Sequence, residues 1–364
     1  MKLISKYLLL AFALLTLSVG CDSDDDSSSG DGTELVLTPS SSFIVVSTSS
    51  IIEFTATYNG KDVSNSSDLM VLQKSTSGSD LLSDNTYTVS RAGTYTFYAI
   101  YGNYMSDEIT VTGITNLPDA AADSAPDQFD SFSKRAMAVL ATGTWCQYCP
   151  YLIDVIHDYT SLNDDLVACE AHYGDTMTST GAGYVTTKLS TASYPTLYMG
   201  LSTKSTLSTD ATVATLTTAV KSELSTAAGT AISANTSYED SVVCVRADVK
   251  VSEGGQYRIG AFLLEDDVYG EQTNAFDDWM NYHDNVIAAI YPESISLTET
   301  LGGVSVQDAK STHLFYCEFD FSTLTTVTNR TNCRVVIFIY DNSALVVDNV
   351  VEVELGGSIS YQYE

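Results

Sequence analysis

Cys146 and Cys149 stand two residues apart in the run Trp145-Cys146-Gln147-Tyr148-Cys149-Pro150. One turn of helix brings two such sulfurs together, so the pair can pass between dithiol and disulfide. The first cysteine then sits where unpaired N–H groups and the positive end of the helix dipole favour a thiolate, the species that attacks disulfides. On this reading Cys146 is the nucleophile and Cys149 resolves the mixed disulfide. The redox-active disulfide needs no further cofactor. The same residues also fit a closed, purely structural disulfide, or a metal site completed by two further ligands. His157 and His172 follow in the sequence without metal-ligand spacing, and His283 and His313 read, like them, as ordinary core or surface histidines, so no metal site is assigned. No basic residue stands near the pair to lower a thiol pKa further. No Ser/His/Asp arrangement and no phosphate-binding glycine loop stands out, and Glu265-Asp266-Asp267 reads as a solvated turn.

The elements around the cysteines must hold them. Met137-Ala138-Val139-Leu140-Ala141 is an apolar run that reads as a strand ending just before the pair. After it, Leu152, Ile153, Ile156 and Tyr159 share one helical face. Pro150 fits there because it lies in the first turn, where its missing N–H costs nothing. Leu166-Val167-Ala168-Cys169-Glu170-Ala171 reads as a second strand. The Thr/Gly/Ser-rich excursion Tyr173 to Ser193 should hold an inserted helix or lid. Tyr194-Pro195-Thr196-Leu197-Tyr198 places a proline just ahead of a short strand. Asp210 is a candidate helix N-cap, with Val213, Leu216, Val220 and Leu224 on one face. Residues 131–227 therefore alternate strand and helix as an α/β unit.

The flanks are β-rich. Residues 34–113 carry short strands at regular spacing, among them Ile51 to Tyr58 ending at the turn Asn59-Gly60, and read as a β-sandwich. Residues 114–130, with Pro118, Pro126 and several Asp and Ala, read as a linker. Residues 228–364 carry strand candidates at Ala231–Tyr238, Ser241–Val251, Tyr257–Leu264, His313–Phe321, Cys333–Tyr340 and Ala344–Glu354, which suggests a second sandwich. The segment Ala275–Pro292, holding Trp279 and His283, interrupts it. Cys169, Cys244, Cys317 and Cys333 lie in apolar stretches and read as small buried hydrophobes, with a Cys317–Cys333 bridge as the alternative.

The N-terminus reads as an export signal. Lys2 and Lys6 precede the apolar core Leu8 to Leu17, which is too short for a comfortable membrane span. Leu17-Ser18-Val19-Gly20-Cys21 resembles a bacterial lipoprotein cleavage box, so residues 1–20 would be removed and Cys21 would carry lipid; an ordinary secretory signal is the alternative. The acidic, apolar-free residues 21–33 read as a tether and resemble a surface-export signal. The expected location is therefore the outer membrane, lipid-anchored, with the cell surface favoured over the periplasmic face. Sixteen basic residues against 46 acidic ones give a net charge of −30, which argues against nucleic acid and anionic membranes as partners.

The order strand, helix, strand, excursion, proline loop, strand, helix resembles the thioredoxin fold. That resemblance implies a cis-proline loop at Tyr194-Pro195 packed against the cysteines, Trp145 flanking the site, and backbone groups beside Pro195 holding an extended substrate chain. Thioredoxins keep a buried acid six residues before the first cysteine; this chain has Leu140 there. Gln147-Tyr148 also replaces the Gly-Pro pair of reducing thioredoxins. With the lipidated start, Thr144-Trp145-Cys146-x-x-Cys149-Pro150, Tyr194-Pro195-Thr196-Leu197 and Tyr282-His283-Asp284-Asn285-Val286, residues 128–364 resemble the thioredoxin-like outer membrane lipoproteins of the twenty-eight-kilodalton outer membrane protein type. Ala92 to Ala99 resembles a hairpin of bacterial Ig-like domains. The fold expected is multidomain: an N-terminal Ig-like β-sandwich, a central α/β thioredoxin-like fold and a C-terminal β-sandwich. The function implied is thiol–disulfide exchange on exported proteins; the alternative is a surface interaction or assembly lipoprotein whose disulfide is structural.

Overall fold

The computed structural model describes residues 34–41, 43–47, 50–75, 78–239, 241–291, 299–300 and 308–364. The expected signal peptide, Cys21 and the acidic tether lie outside the described residues. The chain is β-rich and folds into several sheets, with three α-helices among the described residues. No helix among them is long and apolar enough to cross a membrane.

Residues 35–114 form two sheets that share a core of Leu35, Leu37, Ile52, Phe54, Ala56, Val71, Phe97, Ala99 and Val111. The strand Ile51–Tyr58 begins with strict alternation of exposed and buried residues, as a half-wet strand requires. Asn59 and Gly60 both have positive φ, 50° and 73°. That is the backbone a two-residue hairpin turn needs, and it returns the chain into Lys61–Asp62.

The 114–130 segment, expected as a linker, lies against the strand Val242–Val251 through Lys250. The side chain of Lys250 is 2% exposed and reaches Asp123 at 2.8 Å. Its ammonium also donates to the carbonyls of Ala125, Pro126 and Gln128.

A nine-stranded sheet organises the rest. Ala136–Thr142 and Leu166–His172 run parallel in register, Ala136 opposite Leu166 and Thr142 opposite His172. Every residue of both strands is buried, because the sheet is covered on both faces. Ala136, Ala138 and Leu140 face helix α1 (Cys149–Thr160) and helix α3 (Val213–Leu224). Met137, Val139 and Ala141 face the opposite way, towards helix α2 (Thr180–Lys188). Helix α2 falls within the Tyr173–Ser193 excursion. Helix α3 is capped by Thr212, whose hydroxyl accepts from Thr215 N, and not by Asp210. Asp210 instead accepts from the Ser208 hydroxyl, two residues before the cap.

The same sheet continues through Val286–Tyr291, Tyr257–Glu265, Cys333–Asp341 and Val346–Glu354. A sheet made of Ser311–Asp320, Val242–Val251, Thr230–Glu239 and Ser358–Ile359 packs over these strands, closing the C-terminal sandwich. The boundary expected between 227 and 228 thus does not separate two sheets. The join is the parallel bridge between Glu170 and Val286, a pairing between residues far apart in sequence that no local pattern encodes. Cys317 and Cys333 are buried and form no disulfide with each other.

Candidate functional site

Cys146 and Cys149 form a disulfide with a Cα–Cα distance of 5.4 Å. Only Cys149 belongs to helix α1; Cys146 lies in the preceding turn, with Cys149 N donating to Cys146 O at 3.3 Å. Pro150 occupies the first helical turn, as expected from its missing N–H. The turn follows the C-terminal end of Ala136–Thr142 through Gly143. A methyl group at Gly143 would lie 2.7 Å from Trp145 Nε1 and 2.8 Å from the Tyr173 carbonyl oxygen. Glycine therefore permits the 2.7 Å hydrogen bond from the Trp145 indole to that carbonyl.

The Thr196–Met199 strand pairs antiparallel with Ala136–Thr142, Thr196 opposite Ala141. This brings the preceding Tyr194-Pro195 loop to the cysteine end of the sheet, and the Tyr194–Pro195 bond is cis. Trp145 meets the Tyr194 ring edge-on at 5.4 Å, and Tyr173 stacks on Tyr194 at 5.8 Å. Trp145, Tyr148, Tyr151, Tyr173 and Phe276 are each about half exposed, so aromatic surface surrounds the cysteines. The sulfurs themselves are covered: Cys146 is 3% exposed and Cys149 is fully buried.

The Tyr173–Ser193 excursion, expected to hold an inserted helix or lid, carries helix α2 and meets the cysteine loop through Tyr173 and Asp175. A second set of contacts on that loop comes from Gly270 to Trp279. Gln272 Nε2 donates to Cys146 O at 2.9 Å, and Thr273 N donates to Thr144 O at 2.8 Å. Phe276 packs against Tyr151, and Trp279 stacks on His157 at 4.3 Å. Gln272 Oε1 is buried without a hydrogen-bond partner. The sequence marks Ala275–Pro292, with Trp279, only as an interruption of the strands, and Gly270 to Asn274 carry no signal that sets them apart from any other loop.

Behind the cysteine loop lies a second group, whose two histidines read in the sequence as separate, ordinary residues. Glu170 and His172 alternate onto one face of their strand. His283 reaches them from the short strand Tyr282–His283, paired with Val268–Tyr269. His172 Nε2 is 3.1 Å and His283 Nδ1 is 3.7 Å from Glu170 Oε2. His172 Nδ1 meets Asp175 Oδ2 at 2.8 Å, and Asp175 also accepts from Thr144 N in the cysteine loop. His283 Nε2 lies 3.2 Å from the Gly270 carbonyl. Burial pulls the His172 pKa down, but the hydrogen bonds to Asp175 and Glu170 outweigh it and hold the pKa above the usual histidine range. Burial pushes Glu170 up, yet hydrogen bonds from His172 and His283 bring its carboxyl below the usual range. His157 and His313 lie elsewhere, His157 on α1 and His313 on the Ser311–Asp320 strand.

No family model and no curated protein sequence matches this chain. Among solved structures it is similar to HBP35 of Porphyromonas gingivalis, with a TM-score of 0.53 and 17% identity, over 62% of this chain and 76% of that one. This is a likeness of fold. A domain of the outer membrane lipoprotein Omp28 from Porphyromonas gingivalis covers 35% of this chain and 89% of its own, with 20% identity and a TM-score of 0.23.

Proposed function

We propose that this chain is a lipid-anchored outer membrane protein whose thioredoxin-like unit exchanges disulfides with exported proteins through Cys146 and Cys149. The carrying observation is the Cys146–Cys149 disulfide at the start of α1 with the cis Tyr194–Pro195 loop at the same end of the sheet. The order of strands and helices from Ala136 to Leu224 supports the thioredoxin-like reading, and the two-sheet unit 35–114 is an Ig-like spacer on it.

In the exchange, a substrate thiolate attacks Cys146 Sγ. The Cys146–Cys149 bond breaks and its electron pair leaves on Cys149 Sγ as a thiolate. A second substrate thiolate then attacks the substrate sulfur of the mixed disulfide and releases Cys146 as thiolate. Two electrons have passed from the substrate dithiol to the protein, and the reverse sequence reduces a substrate disulfide. Trp145, Tyr173 and Tyr194 form the aromatic wall against which the substrate chain lies, and the backbone beside Pro195 holds it extended. Cys21 supplies the membrane anchor through its lipid.

The near-complete burial of Cys146 and the latch from Gln272 favour a second reading, a surface interaction or assembly lipoprotein with a structural disulfide. A Cys149→Ser protein separates the two. Under mild oxidation with exported proteins, exchange chemistry traps mixed disulfides on Cys146. A Cys149→Ser protein that stays folded and traps none belongs to the structural reading.

A further inference from the structure

We propose that Glu170, His172 and His283 bind a divalent first-row transition-metal ion, with zinc the best match to two imidazole nitrogens and one carboxylate. The inference stands apart from the disulfide chemistry. The three donor atoms lie within 4.8 Å of one another. A tetrahedral ion about 2.0–2.2 Å from each ligand spaces its donors ~3.4 Å apart. The Glu170 separations of 3.1 and 3.7 Å bracket that value.

The outer contacts are those of ligand histidines. A metal-binding imidazole donates its other N–H to a carboxylate or carbonyl, which fixes the ring and directs the remaining lone pair at the ion. His172 Nδ1 is held by Asp175, itself fixed by the N–H groups of Thr144 and Met177. A carbonyl only accepts, so His283 Nε2 carries its proton towards Gly270 O and leaves Nδ1 facing Glu170. Both rings therefore turn their remaining nitrogens to one carboxylate oxygen. The side chains of His172 and His283 are 0% and 1% exposed, and that of Glu170 is 10%. One carboxylate oxygen among two nitrogens is a poor set for calcium or magnesium, which take oxygen ligands. Three protein ligands leave a fourth position for water.

The test uses the full, untagged chain, stripped with a chelator and titrated with zinc against a chromophoric competitor. Excess calcium is present to occupy exposed carboxylates. One zinc per chain is expected. His283→Gln and Glu170→Gln should each weaken binding by more than 10-fold, and Asp175→Asn by about 10- to 100-fold. Cobalt in the wild-type protein should give a visible spectrum without a thiolate charge-transfer band, which keeps the proposal testable even where a variant fails to fold. Failure of the wild type to bind zinc stoichiometrically overturns the proposal. So do folded variants that bind as tightly as wild type, or a cobalt–thiolate band.

Discussion

Gln272 and Gly143 restrain the cysteine loop through contacts that one substitution removes. Gln272 donates to the Cys146 carbonyl from a segment more than a hundred residues away in the chain. Losing one such bond costs about 1 kcal/mol, so Gln272→Ala should make loop opening about five-fold more frequent. The check is the rate at which a small thiol reduces the disulfide, and an unchanged rate would show that Gln272 is no latch. Gly143→Ala forces a methyl group against Trp145 and the Tyr173 carbonyl. It should destabilise the protein by about 1–3 kcal/mol in denaturant titration. The sequence displayed Cys146, Cys149, Trp145, Tyr194 and Pro195 because each belongs to a short local pattern. Gln272 was hidden, and His283 was visible only as an ordinary histidine in a short motif, because their place depends on which strand joins the edge of Leu166–His172, and that pairing is made across the chain.

Elements were easier to read than their partners. The strand candidates of the C-terminal half match the structure to within one or two residues, because alternation is local. That they extend the sheet of the α/β unit was not readable. Residues 131–227 alone would bare the edge of Leu166–His172 and strip Phe262, Leu264, Ile287, Ile290, Val336 and Phe338 from the core that Met137, Val139, Val167 and Cys169 share with helix α2. This fragment should therefore fail to fold, as read by far-UV circular dichroism and amide exchange; a cooperative unfolding transition would contradict the shared core. The 114–130 segment is fastened by Lys250, whose pKa burial lowers but Asp123 and Tyr363 raise further. Burial likewise raises Asp123, and the Lys250 hydrogen bond more than reverses it, leaving the carboxyl low. A lowered Asp123 contributes stability above the ordinary carboxylate pKa of about 3.9 that is lost as pH falls through its folded value. A raised Lys250 contributes below the ordinary lysine pKa of about 10.4 and loses it as pH rises through its folded value. Lys250→Met should cost about 2–3 kcal/mol between those limits, with the deficit shrinking at either end. Unfolding free energies of both proteins from acid to alkaline pH measure this, and a deficit independent of pH would sink the pairing.

At the scale of the molecule, the N-terminal sandwich rests on the sheet that carries Val242–Val251 and Ser311–Asp320. Phe43 packs on Tyr316 at 5.7 Å, and Ile114 shares a small core with Cys244 and Tyr316. Deleting residues 34–113 should expose Cys244 to alkylation while leaving the Cys146–Cys149 pair unaltered, a division that mass mapping of labelled cysteines reads directly. A net charge of −30 disfavours adsorption to anionic surfaces, which fits attachment through the lipid proposed on Cys21. The proposed disulfide chemistry lies at one end of the nine-stranded sheet, where Cys146–Cys149 and the cis Tyr194–Pro195 loop meet. The most direct test of that chemistry is the reduction potential of the Cys146/Cys149 pair in the folded chain, equilibrated in glutathione buffers and read by alkylation with mass mapping. The account requires reversible exchange at a potential of about −120 to −270 mV, the span of catalytic disulfides. A potential below about −300 mV, or a pair that reacts only in denaturant, would contradict it and mark the disulfide as structural.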